Sequence, residues 1–173
     1  MTPMNGPELH DERPEDAEAI DEVQRAAFAD HPFSDRTEHL IVRALRTGAA
    51  PSVSLVALRA GRLVGHLAFS PVTIAGRPGR WFGLGPLAVR PSEQHAGIGS
   101  AIVEAGLQRL RALDAAGCVV FGDPACYLRF GFGPSDGLRL EGMPPEHFCA
   151  LRLGAAPLPQ GAVRYHAAID SQA

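Results

Sequence analysis

The feature that most constrains the fold is a strand–helix–strand segment in the middle of the chain. "WFGLGPLAV" (81–89) is apolar and has the length of a strand, and the residues from about Ile98 to Leu113 repeat apolar side chains at helical spacing. "AAGCVVFG" (115–122) then has the composition of a short buried strand. Two strands of one sheet that are joined through a helix run parallel. The sequence therefore predicts a parallel β–α–β unit.

The residues before this unit predict two helices followed by antiparallel strands. "RPEDAEAIDEVQRAAF" (13–28) has a proline in its first turn and acidic residues at the positive end of the dipole, and "RTEHLIVRALRTG" (36–48) ends in glycine. "SVSLVALRAGRLVGHLAFSPVTI" (52–74) predicts a hairpin around "RAGR", and "AGRPGR" (75–80) predicts the next turn. These strands form a three-stranded meander with the strand at 81–89.

Two more strand candidates flank a proline- and glycine-rich loop in the tail, 148–169. The whole order of elements predicts a mixed α/β fold with a central sheet of about six to seven strands and flanking helices. A chain of 173 residues can bury a proper core but is short for two domains, so we expect a single domain, 1–173.

Composition narrows the range of partners. The chain is 46% hydrophobic with a formal net charge of −3 and no basic run, so we expect a globular protein that binds neither nucleic acid nor a membrane. The N-terminal residues are polar and acidic, unlike a signal peptide, and we expect a cytoplasmic location. Three cysteines, Cys118, Cys126 and Cys149, lack metal-site spacing, so we expect small buried side chains and no metal.

Gly97 and Gly99 lie where the strand at 81–89 gives way to the helix, although glycine is unfavourable inside either element. A helix N-terminus carries free backbone N–H groups and partial positive charge, and it binds anions when small residues let the anion approach. Ala96 and Ser100 are also small. The pattern predicts a pyrophosphate site.

Three motifs resemble the GNAT superfamily of acyl-CoA-dependent N-acetyltransferases. "QHAGIG" (94–99) is similar to the superfamily signature Q/R-x-x-G-x-G/A. "LGPLAVRPSEQ" (84–94) and "FGDPACYLRFGFGP" (121–134) resemble the flanking segments at the expected separations, and the order of elements agrees over nearly the whole chain. The resemblance implies a GNAT-like sheet and acetyl-CoA as cosubstrate.

The resemblance also implies which residues bind the cosubstrate. The strand before the loop carries a bulge in this superfamily, and Gly85–Pro86 is where this sequence could form it. The backbone groups of Leu87, Ala88 and Val89 would then pair with pantetheine. The residues expected around the pyrophosphate are Gln94, His95, Ala96, Gly97, Ile98, Gly99 and Ser100. His95 and Ala96 replace the usual glycine and cation, which predicts weaker electrostatic attraction for the phosphates.

By the same resemblance, Tyr127 takes the place of the general acid that protonates the CoA thiolate. The general base stays open. Many relatives have a glutamate on the central strand, whereas 81–89 contains no carboxylate, which leaves Asp35, Glu38, His66 or water alone.

The sequence thus predicts an N-acetyltransferase that moves an acetyl group from acetyl-CoA to an unidentified primary amine by direct transfer. The alternative is a non-catalytic acyl-CoA-binding sensor or scaffold. The missing strand carboxylate and the altered His95–Ala96 pair favour that alternative. The sequence does not decide between a monomer and a homodimer.

Overall fold

A computed structural model describes residues 6–29, 40, 42, 53–94, 96–135 and 137–165. The strands in these ranges are β1 (Glu8–Asp11), β2 (Val53–Arg59), β3 (Arg62–Ile74), β4 (Arg77–Val89), β5 (Gly117–Phe121), β6 (Leu138–Arg139), β7 (Phe148–Arg152) and β8 (Gly161–Arg164). The α-helices with both ends in these ranges are α1 (Ala17–Phe28), α2 (Ile98–Ala112) and α3 (Pro124–Tyr127). Short 3-10 turns cover Pro14–Asp16, Pro91–Glu93, Leu128–Phe130 and Pro145–His147.

Some predicted residues lie outside the described ranges. Of the second predicted helix, 36–48, Leu40 and Val42 are described and both are helical. Asp35, Glu38 and His95 fall outside the described residues.

The sheet has the strand order β1-β2-β3-β4-β5-β7. β4 and β5 pair in parallel, as the crossover through α2 predicts, and the other neighbours along this path are antiparallel. β8 pairs with the end of β3 and, in parallel, with β6. The mixed α/β prediction is confirmed, although the described residues contain eight strands because the two-residue β6 carries no periodic signal of its own.

Both predicted hairpin turns are present, and the second is tighter than predicted. Ala60 and Gly61 connect β2 to β3, with φ of 52° and 77°. Ala75 and Gly76 connect β3 to β4, with φ of 53° and 75°. Left-handed torsions at both central residues match the twist of the strands. β4 therefore starts at Arg77 rather than after a six-residue turn.

Helices cover opposite faces of the sheet. α1 packs its Ile20 and Val23 on one face, here called the α1 face, where they meet buried side chains of β2, β3 and β4. α2 packs its Ile102 and Leu107 on the other face, the α2 face, against Phe69 and the rest of the largest core cluster. The sheet is thus buried on both sides along most of β3.

The α2 helix approaches the sheet unusually closely at Gly106. A Cβ built at this glycine would lie 3.0 Å from Cζ of Phe69 and 3.2 Å from Cδ2 of Leu67. Helix and strand can therefore meet here only without a side chain. Leu113, predicted on the apolar arc of the helix, is instead 46% exposed, because α2 ends at Ala112 and Leu113 is its C-cap.

The cysteine prediction is confirmed at two positions and wrong at the third. Cys118 and Cys149 are buried free thiols in the core, whereas Cys126 is exposed on the four-residue helix α3, which is too short to bury more than one side. Among the described residues, no helix combines the length and the apolar character needed to cross a membrane.

Candidate functional site

The parallel pairing of β4 and β5 stops halfway along β4. It runs from Trp81 opposite Gly117 to Leu84 opposite Val120, while β4 continues to Val89. The described residues place no strand beside this last part of β4 on the β5 side. The two strands therefore leave a split between them.

A bulge lies where the split begins, as predicted. Leu67 of β3 pairs with Leu87, and Phe69 pairs with Leu84, so β4 has one residue more than β3 in this interval. The extra residue falls within Gly85–Pro86, where glycine has a φ of 140° and proline has no N–H to donate to a ladder.

Backbone alternation decides which groups of β4 face the split. The N–H of Arg90 donates to the carbonyl of Val64 at 2.8 Å, so Arg90 faces β3. Neighbouring residues of a strand direct their N–H and C=O groups to opposite sides. Leu87 and Val89 therefore face the split, as predicted, and Ala88 does not. The prediction for Ala88 is corrected, because its backbone groups face β3, where it lies opposite His66.

The N-terminus of α2 follows β4 after a short loop. Gly97 is the N-cap residue with a left-handed φ of 85°, and it has no side chain that could cap the helix. The first intrahelical bond runs from the N–H of Ala101 to the carbonyl of Gly97 at 3.0 Å. The N–H groups of Ile98, Gly99 and Ser100 are thus left without helical partners, at the positive end of the helix dipole.

Packing within the described protein requires neither Gly97 nor Gly99 to be glycine. A Cβ at Gly97 would meet no atom within 4 Å, and a Cβ at Gly99 would meet only Cγ2 of Val89, at 3.9 Å. Gly97 serves the left-handed backbone, but Gly99 has no such torsional demand. Among the described residues, nothing fills the space in front of Gly97 and Gly99, so a ligand can approach the free N–H groups closely.

Side chains hold the loop between β4 and α2 in place. Nε2 of Gln94 donates to the carbonyl of Val89 at 3.0 Å, and Nη1 of Arg59 donates to Oε2 of Glu93 at 3.2 Å. Gln94, predicted to contact a ligand, thus also ties the loop back to β4. Of the groups facing the split, the Val89 carbonyl already has this partner.

Tyr127 lies on the α2 face, beside the end of the β4–β5 ladder. Its ring packs edge-on against Phe132, with centroids 5.8 Å apart and planes at 71°, and it borders Gly122 directly after β5. Asp123 caps the short helix by accepting from the N–H of Ala125 at 3.0 Å, and Gly131 closes the following turn with a φ of 99°. The glycine-closed helix predicted here is confirmed.

Burial raises the pKa of Tyr127 to about 12, and the nearby Cys126, Cys118 and Asp123 add to this rise. Burial also raises the pKa of the Cys118 thiol. Desolvation disfavours the charged form of both groups. Tyr127 therefore keeps its proton throughout the neutral and moderately alkaline range.

His66 belongs to a buried polar chain on the α1 face. Nδ1 of its ring lies 2.9 Å from Nε2 of Gln24, and its Nε2 lies 2.8 Å from Oγ of Ser54, which donates to Oε1 of Glu12 at 2.9 Å. Because the amide donates to Nδ1, the ring proton sits on Nε2. Both ring nitrogens are thus engaged in a fully buried residue, which favours a structural role for His66 over that of a general base.

The part of the chain that the structure describes contains no group of three or more His, Cys, Asp or Glu side chains suited to a metal ion.

One residue near the split belongs to none of the sequence motifs. Tyr165 follows β8, and its ring lies against Gly83 of β4. The available signal is Gly83 itself, a glycine within a buried strand, which indicates close approach of another group.

Comparison with known proteins agrees with this architecture. The family described as "Acetyltransferase (GNAT) family" matches residues 17–132. The uncharacterized N-acetyltransferase YhbS of Escherichia coli strain K12 is 38% identical over 122 residues, 70% of each chain. The uncharacterized N-acetyltransferase YjhQ of the same strain is 33% identical over 124 residues, which cover 70% of this chain and 67% of that one.

Two solved structures are similar over nearly their full length. A GNAT family acetyltransferase from Brucella melitensis, in complex with acetyl-CoA, has a TM-score of 0.85 at 42% identity and covers 95% of this chain and 99% of its own. YhbS from Escherichia coli, in complex with CoA, has a TM-score of 0.89 at 32% identity over 98% of this chain and 95% of its own. The present chain belongs to the GNAT family of acetyltransferases.

Proposed function

We propose that this chain transfers the acetyl group of acetyl-CoA to the nitrogen of a primary amine, with 1–173 forming one catalytic domain. The proposal is supported by two neighbouring features of the structure, the split between the strands and the free N-terminus of α2. The split between β4 and β5 ends beside the uncapped N-terminus of α2, in front of which Gly97 and Gly99 leave free space. A long ligand with an anionic end fits this pair of features.

Acetyl-CoA has one part that suits the helix N-terminus and another that suits the split. Its pyrophosphate would accept hydrogen bonds from the N–H groups of Gly99 and Ser100, as anions do at helix N-termini. Its pantetheine arm would pair with backbone groups of Leu87 and Val89 in the split. The similar proteins from Brucella melitensis and Escherichia coli, which bind acetyl-CoA and CoA, support this assignment.

In the proposed reaction, the neutral amine nitrogen attacks the carbonyl carbon of the thioester and forms the new C–N bond. A backbone N–H near Val89 supports the negative charge that develops on the carbonyl oxygen. The C–S bond then breaks, its electron pair leaves on sulfur, and the nitrogen loses its extra proton to water.

In this proposal Tyr127 supplies the proton for the departing sulfur, and its phenolate then regains a proton from the water that took up the proton of the nitrogen. A thiol in water has a pKa near 8.5, so proton transfer to its thiolate from a phenol whose pKa is about 12 would cost about 5 kcal/mol. Enclosure of the sulfur in the split would, however, remove water from around the thiolate. The same burial that raises the pKa of Cys118 would raise that of the leaving thiol and narrow the gap. Transfer is therefore expected while the sulfur is still enclosed.

Thermal unfolding with added ligand tests the proposed site. At a CoA concentration about a hundredfold above its dissociation constant, linkage predicts a gain of roughly 2.7 kcal/mol in the free energy of unfolding. Adenosine, which lacks both pyrophosphate and pantetheine, should give a much smaller shift. An unchanged melting temperature in saturating CoA would refute the site and the proposal with it.

The second candidate, a non-catalytic acyl-CoA sensor or scaffold, is favoured by the absence of a carboxylate in 81–89. Such a protein would show the same thermal shift without turnover. Release of free thiol from acetyl-CoA in the presence of an amine panel separates the two candidates.

A further inference from the structure

Two tyrosines flank the end of the β4–β5 ladder from opposite faces of the sheet. Tyr127 borders Gly122 on the α2 face and packs with its core cluster. Tyr165 packs with the cluster of Trp81 and Val119 on the other side of the sheet. The first is assigned to the thiolate in the proposed function, and the second has no role in it.

The Tyr165 ring occupies the place where β4 lacks a side chain. A Cβ built at Gly83 would lie 2.7 Å from Cδ1 of Tyr165, and still closer to Cε1. Gly83 pairs with Val119, one step before the last pair of the ladder, Leu84 with Val120. The ring therefore lies at the mouth of the split.

A hydroxyl without a partner lies on the next strand. Ser70 of β3 is opposite Gly83, and directly opposed residues of an antiparallel pair share a face. Ser70 is fully buried, and its Oγ has no hydrogen-bond partner. An unsatisfied buried hydroxyl costs free energy, and this one lies on the same face of the sheet as the Tyr165 ring, opposite the glycine that the ring covers.

Tyr165 also reaches a surface depression. A cavity of about 180 Å³ is lined by Leu140, Glu141, Ala162, Val163, Arg164 and Tyr165. The volume accommodates a small organic group, and the lining carries one charge of each sign, the carboxylate of Glu141 and the guanidinium of Arg164.

The position of the cosubstrate decides from which side the acceptor comes. The N-terminus of α2 and Tyr127 both lie on the α2 face, so CoA that binds there fills the split from that side. In that arrangement the acceptor would reach the thioester from the α1 face, the face on which Tyr165 and Ser70 lie.

We propose that Tyr165 binds the acceptor and determines its specificity. Its ring supports an aromatic or other flat apolar group next to the reacting amine, and Oγ of Ser70 accepts a hydrogen bond from the amine nitrogen. The acceptor class is therefore a primary amine carried on such a group. This inference rests on the proposed function, because it assumes that the thioester lies in the split.

Binding of bisubstrate conjugates tests it without turnover. The probes are two thioethers of CoA, in which sulfur carries –CH₂–CO–NH–benzyl or –CH₂–CO–NH–methyl, measured by titration calorimetry. Because the ring should contact the benzyl group, the benzyl conjugate is expected to bind wild type at least tenfold more tightly than the methyl conjugate. Tyr165→Leu should lose this preference while it binds CoA within about twofold of wild type.

Two further variants separate the ring from general stability. Tyr165→Phe keeps the ring and should keep the benzyl preference. Phe148→Leu removes a buried ring from the same cluster, on β7 away from the split, and should also keep it. Should Tyr165→Leu not fold, Gly83→Ala takes its place, because the added methyl must displace the Tyr165 ring.

Equal affinity of wild type for the two conjugates would overturn the inference, and so would a benzyl preference that survives Tyr165→Leu or, in its place, Gly83→Ala. If the conjugates bind with the expected preference but no amine is acetylated, the proposed function fails and the Tyr165 site stands. If neither conjugate nor CoA binds, both are refuted.

Discussion

Gly99 offers a perturbation in which folding and binding should respond with opposite signs. In the described protein a Cβ at this position would touch only Val89, at an ordinary 3.9 Å, and the residue lies in the first turn of α2. Alanine is more favourable than glycine in a helix by roughly 0.5–1 kcal/mol. Gly99→Ala should therefore raise the melting temperature of the free protein by about 1–4 °C.

The same methyl group would stand in front of the free N–H groups that the pyrophosphate is proposed to approach. Loss of one hydrogen bond to a charged group costs about 1.5–3 kcal/mol, so CoA should bind at least tenfold more weakly. Calorimetric titration with CoA and a melting curve without it measure the two effects. Gly79→Ala is a matched control, since its Cβ would meet no described atom within 4 Å and the residue lies at the far end of β4. A more stable Gly99→Ala variant with wild-type CoA affinity would refute the reasoning.

Three other predictions concern the same site. Tyr127→Phe deletes only the hydroxyl and should lower kcat by about 10²- to 10⁴-fold with nearly unchanged CoA affinity. If kcat stays at the wild-type value under conditions where chemistry is rate-limiting, Tyr127 has only a packing role. The pKa of Tyr127 is raised to about 12 in the folded state, against about 10 in the unfolded state. The free energy of unfolding should therefore fall as pH rises from about 10 to 12. Denaturation curves over this pH range should show a shallower fall for Tyr127→Phe. Asparagine tolerates the left-handed φ of 85° at position 97 better than valine does, so Gly97→Asn should fold and still bind CoA more weakly than wild type. Normal CoA binding by this folded variant would show that Gly97 serves only the loop conformation.

Local patterns were sufficient to predict most of the fold. The hairpin around Ala60–Gly61, the helix that starts at Ile98 and the parallel pairing of β4 with β5 each follow from periodicity and turn residues within short segments. The bulge at Gly85–Pro86 was also predictable, because proline cannot donate to a ladder.

Features that depend on contacts between distant segments were not predictable. β6 exists only through its pairing with β8, and Gly106 is required by Phe69, 37 positions earlier in the printed sequence. The contact of Tyr165 with Gly83 likewise joins the end of the described chain to the middle of the sheet. The orientation of Ala88 toward β3 needed the strand register, which the sequence does not state.

Acetyl transfer from acetyl-CoA to an amine nitrogen has a defined product stoichiometry, which can be measured. The measurement incubates the protein with acetyl-CoA and a panel of primary amines, then counts free thiol by a chromogenic reagent and N-acetyl product by mass spectrometry in the same samples. We expect one acetylated amine for each thiol released, with both signals lost together in Tyr127→Phe. Thiol release without an N-acetyl product, or CoA binding without either, would contradict this expectation.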